Sequence, residues 1–75
     1  MIEGVLLVRG TATQEALRSV SLMNAKQLVF GRFGKDGTIL HVAATAQEDL
    51  QRAIVEFSAV AGVTEVSILA VSSRS

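Results

Sequence analysis

Two apolar runs, each followed by a threonine-headed stretch with helical spacing, stand on either side of a glycine-bracketed turn, and that plan leaves few folds open. The first run, Gly4-Val5-Leu6-Leu7-Val8, is continuous, rich in branched residues and ended by Gly10. It predicts a strand covered on both faces. In Thr11-Ala12-Thr13-Gln14 a threonine can cap a helix, with Gln14 three residues after Thr11 as in a capping box. Ala12, Ala16, Leu17, Val20 and Met23 then recur on one helical face, and Asn24 is a natural stop. Residues 27–33 read as a second strand and 38–44 as a third. Between them Gly34-Lys35-Asp36-Gly37 has the Asp-Gly step that suits a tight two-residue hairpin turn, where Gly37 would supply a positive φ. Thr45 heads a T-x-x-E box with Glu48, followed by the stripe Ala46, Leu50, Ala53, Ile54, Phe57 and Val60 or Ala61. Gly62 is placed as a left-handed cap, residues 63–71 form the last strand, and 72–75 are a polar end.

The order is β-α-β-β-α-β. Gln14-Glu15-x-Leu17 returns as Gln47-Glu48-x-Leu50, so the same strand-helix plan occurs twice. Right-handed crossovers then predict a four-stranded antiparallel sheet with both helices on one face. The expected architecture is a single ferredoxin-like α+β sandwich over residues 1–75, with 72–75 as its polar tail. Seventy-five residues hold one small domain, and a chain of that size buries only about 60% of its unfolded surface.

Side chains alternate across a strand, so a two-residue turn divides the hairpin into two sets. Val29, Gly31, Phe33, Leu40 and Val42 fall on one face; Leu28, Phe30, Arg32, Ile39, His41 and Ala43 fall on the other. Val5 and Leu7 oppose Leu6 and Val8, while Val66 and Ile68 oppose Ser67 and Leu69. Helices cover one face only, yet neither face alternates with polar residues as a solvated sheet face would. The expectation is that Leu28, Phe30, Ile39, His41 and Ala43 meet a second copy of the chain in a symmetric homodimer or higher oligomer.

Seven basic residues balance seven acidic ones, so charge names no nucleic-acid partner. With no cysteine, disulfides, thiolate metal sites and thiol nucleophiles are excluded, and the single histidine, His41, lacks a second imidazole to share a metal. No serine has a nucleophile-elbow setting, so no catalytic residue, cofactor or metal is expected and the chain reads as a non-enzyme. The run Val5 to Val8 is far shorter than the roughly 20 residues of a membrane span, and Met1-Ile2-Glu3-Gly4 lacks the basic flank of a signal peptide. A cytoplasmic location is expected. Gly31-Arg32-Phe33-Gly34-Lys35-Asp36-Gly37 resembles a phosphate cradle in composition, but it joins two strands rather than opening a helix. Phe30 and Phe33 have opposite parity, so they form no single base-stacking platform.

The Gly34-x-Asp36 turn before an apolar strand and the closing Gly62-Val63-x-x-Val66-Ser67 resemble the RAM/ACT group of small regulatory domains. They are also similar to the NapD-like chaperones that serve periplasmic nitrate reductase. The first resemblance implies a non-enzymatic, oligomeric module that binds a small metabolite, often an amino acid, at crevices between subunits. Arg32, Lys35, Asp36 and His41 are then the candidate ligand residues, with Arg32 pairing a carboxylate and Asp36 an amine. The second implies a chaperone or adaptor that captures a peptide on the open sheet face or along a strand edge.

Overall fold

A computed structural model describes residues 1–73, the side chains of Val29 and Phe30 apart. The elements are β1 (Ile2–Gly10), α1 (Gln14–Arg18), β2 (Ala25–Phe33), β3 (Gly37–Ala44), α2 (Gln47–Ser58) and β4 (Val63–Ser73). The strands form one antiparallel sheet in the order β2-β3-β1-β4. The α+β class expected from the sequence, an antiparallel sheet with two helices, is what the structure shows. Ser72 and Ser73, assigned to the polar tail, belong instead to β4, where they pair with Glu3 and Ile2, and Arg74 and Ser75 lie outside the described residues.

The helices begin at the two repeated glutamines, Gln14 and Gln47, and each repeat delivers its leucine to the core, Leu17 at 0% and Leu50 at 2% exposure. Those leucines join Ala53 and Phe57 of α2 against Leu6 and Val8 of β1 and Leu40, Val42 and Ala44 of β3. Each Leu, Val or Phe among them taken fully out of water contributes about 1.5–3 kcal/mol. The split of β1 into Leu6 and Val8 against Val5 and Leu7 is therefore as the alternation predicts.

α1 is shorter than its periodicity predicts: five residues, ending at Arg18 rather than near Met23. Its cap is Thr13, whose hydroxyl accepts the Ala16 N–H at 3.1 Å, and not Thr11. The Ser19 hydroxyl donates to the Ala16 carbonyl at 2.8 Å, a local bond that competes with helix propagation. Met23 consequently lies outside the core at 62% exposure, and Asn24 turns the chain into β2 at φ +56°. The cap of α2 also moves. Ala46 occupies it with no side-chain bond, because Thr45 still belongs to the connection, where its N–H donates to the Asn24 carbonyl at 2.9 Å. Gly62 has the expected positive φ, +93°.

The largest correction concerns the hairpin. Phe33 pairs with Gly37, so the loop is the three residues Gly34-Lys35-Asp36 and not two. The left-handed residue is Gly34, at φ +71°, whereas Gly37 is needed because a Cβ there would collide with the Phe33 carbonyl. An odd loop reverses the parity of the end of β2: Arg32 pairs with Thr38 and Gly31 with Ile39. A bulge at Leu28 undoes the reversal, and Gln27 pairs with Val42. The expected division of the hairpin is thereby overturned. Arg32 belongs to the face of Leu40 and Val42, and Phe33 to that of Ile39 and His41. A second bulge, at Leu69, interrupts the pairing of β4 with β1.

Gly37→Ala should therefore cost on the order of 1–3 kcal/mol in urea denaturation, since the hairpin must deform to admit the methyl group. Gly31→Ala, with open space around it, should be neutral or stabilising by up to about 1 kcal/mol. Equal losses from the two substitutions would contradict the loop geometry.

Candidate functional site

Three of the four candidate ligand residues, Arg32, Lys35 and Asp36, line one cleft of about 570 Å³ together with Gly10 to Gln14, Gly37 and Thr38. The cleft is built by the β2–β3 loop on one side and the β1–α1 connection on the other. One backbone bond ties the two, from the Gly10 N–H to the Asp36 carbonyl at 2.8 Å, and a second, from the Thr11 N–H to the Gly62 carbonyl at 2.8 Å, anchors the β1–α1 connection to the turn after α2. Gly10 itself holds φ +132° with a neighbour, the Gly62 carbonyl, where a Cβ would have to sit. The volume falls within the range of small-molecule sites.

The charged groups of the cleft are not equivalent. The Asp36 carboxylate meets the Arg9 guanidinium at 3.6 Å, and Arg9 also reaches Glu65 at 3.7 Å. Arg32 and Lys35 are exposed and have no ion-pair partner among the described residues. Thr38, directly across the strand pair from Arg32, is 9% exposed, and its hydroxyl has no hydrogen-bond partner among the described residues. Sequence reasoning missed Thr38; a polar residue with the parity of Leu40 and Val42 was the available signal.

His41 is not part of this cleft. It lies on the opposite face of the sheet, where its Nε2 meets the Glu3 Oε1 at 2.9 Å. Glu3 is 15% exposed and His41 34%, so the pair is half-sheltered by the sheet itself. The register brings the two together: Glu3 pairs with Ala43 and Val5 with His41. Around them lie Val5, Leu7, Ile39 and Ala43, and toward the hairpin loop Arg9 and Phe33. Of the expected interface residues, Ile39, His41 and Ala43 share this face; Leu28 is the bulge residue of β2, 45% exposed. Phe30 pairs through its backbone with Leu40, in place of the expected open-face position, and its side chain lies outside the described residues.

Among the described residues no group of three or more His, Asp and Glu side chains is placed to hold a metal, and no helix is long and apolar enough to cross a membrane. No protein-family model matches the chain, and no curated protein matches its sequence at a significant level.

The sheltered pair and the exposed one should differ measurably. A double-mutant cycle on Glu3→Gln and His41→Gln should give a coupling near 1 kcal/mol, against less than about 0.5 kcal/mol for Arg9→Gln and Asp36→Asn. The reverse ranking would show that Glu3 and His41 do not meet in solution.

Proposed function

We propose that the chain is a non-enzymatic, self-associating regulatory module that binds a small metabolite, acts in the cytoplasm and is similar in kind to a stand-alone RAM/ACT domain. The observation that carries this reading is the convergence of Arg32, Lys35 and Asp36 on one cleft of ligand size. The element order β-α-β-β-α-β with the sheet order β2-β3-β1-β4 supports assigning the fold as ferredoxin-like.

Self-association is supported by the sheet face that the helices leave uncovered. Its centre carries Val5 and Ile39, partly exposed, beside Leu7 and Ala43, which are already buried within the chain, with Phe33 half-exposed toward the hairpin loop. A two-fold pairing of this face with itself is the simplest closed arrangement. The hairpin loop connects the two surfaces: Asp36 lines the cleft while its carboxylate meets Arg9, whose register position is on the uncovered face. A ligand that rearranges the loop would thereby act on the interface, and assembly would act on affinity to the same extent.

A second reading, a peptide-binding chaperone or adaptor, is favoured by one feature of its own. β4 is an edge strand, uncharged from Val66 to Ser73, with Ile68, Leu69 and Val71 each half-exposed. Such an edge accepts an added strand.

Light scattering across a dilution series separates the readings. The module should remain a dimer or larger assembly, and Ile39→Asp should make it a folded monomer by buried-charge repulsion in the interface. A wild-type chain that is monomeric at high micromolar concentration would overturn self-association and favour the adaptor.

A further inference from the structure

We infer that the cleft selects a small oxyanion, a metabolite headed by a carboxylate or phosphate, and not the amine-bearing zwitterion that its residue types first suggest; this inference rests on the small-ligand reading above. Three observations converge on it. The one carboxylate lining the cleft, Asp36, is engaged by Arg9 at 3.6 Å, so it is compensated before any ligand arrives. Arg32 and Lys35 bring two positive charges with no ion-pair partner among the described residues. Thr38 stands opposite Arg32, nine-tenths buried, with its hydroxyl unpartnered among the described residues.

Each group has a distinct use toward an oxyanion. A guanidinium presents a planar fork of donors that matches carboxylate and phosphate oxygens in pairs, while an ammonium adds a point charge. The Thr38 hydroxyl is not among the buried atoms left without a partner, so it reaches the cleft and can add a neutral donor to a ligand oxygen beside the Arg32 guanidinium. An ammonium ligand finds the opposite: two like charges and a carboxylate already committed elsewhere. The chain as a whole is neutral, so this preference is a property of the cleft and not of an overall field.

The test is a titration of the full 15N-labelled chain with inorganic phosphate, succinate and glycine at fixed ionic strength, with sodium chloride as control. Phosphate or succinate should shift the amides of Thr11, Gly37 and Thr38 saturably, and the tighter of the two identifies the head group. Glycine should need at least tenfold higher concentration. Arg32→Gln should weaken the anion by tenfold or more. Thr38→Val should weaken it about fivefold while leaving the melting temperature essentially unchanged, which loss of a structural hydrogen bond would not do. Should Thr38→Val not fold, Arg32→Gln and Lys35→Gln alter exposed side chains and keep the test intact. Saturable glycine binding that Asp36→Asn abolishes would overturn the inference, as would the absence of saturation by either anion. A metabolite that raises the melting temperature while leaving these amides unmoved would overturn the oxyanion site alone. If no small molecule stabilises the chain in any assembly state, the sensing reading fails with it.

Discussion

A strand that slips by one residue moves its side chains to the other face, and β2 slips twice. The first slip is forced where Gly37 lies against the Phe33 carbonyl, a contact that only a residue without Cβ permits. It fixes the Phe33–Gly37 pair and a three-residue loop, and from that pair the register runs back to Arg32 opposite Thr38. The second slip, at Leu28, restores the parity so that Ala25 and Gln27 face Ala44 and Val42. Between the two, a short stretch of β2 carries a cation on the helical side of the sheet, paired across the strands with Thr38. Without the odd loop Arg32 would stand on the uncovered face near His41, and the cleft would lose its main charge.

The remaining structure holds that arrangement with few parts. One core, closed by Leu17 from the short helix and by Leu50, Ala53 and Phe57 from the long one, covers one side of the sheet. α1 is too short to be stable by propensity. It is held by the Thr13 cap at one end, and at the other the Gln27 side-chain amide donates to the Leu17 carbonyl at 2.9 Å, satisfying a helix-terminal acceptor. The same Gln27 thus ties β2 to α1 just beyond the bulge. The opposite side of the sheet has no such cover. Its apolar centre, interrupted by the Glu3–His41 pair, is the surface that the proposed self-association would cover.

Much of this was legible in the residues, and the limits have physical causes. Periodicity found every element, because apolar spacing reports which side of a helix or strand meets the core. It set Leu6 and Val8 on one side of β1 and Leu40 with Val42 on one side of β3, sets that the structure brings together in the core, and the repeated glutamines mark both helix starts. It overextended α1, since Val20 and Met23 keep helical spacing while Ser19 and Asn24 take the backbone elsewhere. It also misassigned Arg32, because loop length depends on one backbone contact and not on composition: Asp36-Gly37 fits a two-residue turn equally well. Thr38 and Glu3 were passed over for the same reason, since each acquires a role only once the register between strands is known. His41 and the hairpin charges, grouped as one site by residue type, lie on opposite faces of the sheet.

The register of the hairpin is the claim from which the cleft, its charge and the uncovered face all follow, and nuclear Overhauser contacts across β2 and β3 read it directly. The structure predicts cross-strand contacts of Arg32 with Thr38 and of Gln27 with Val42, with Leu28 unpaired between them. Contacts of Arg32 with Gly37 or Ile39 instead would mean an even loop, and would contradict the placement of Arg32 beside Thr38.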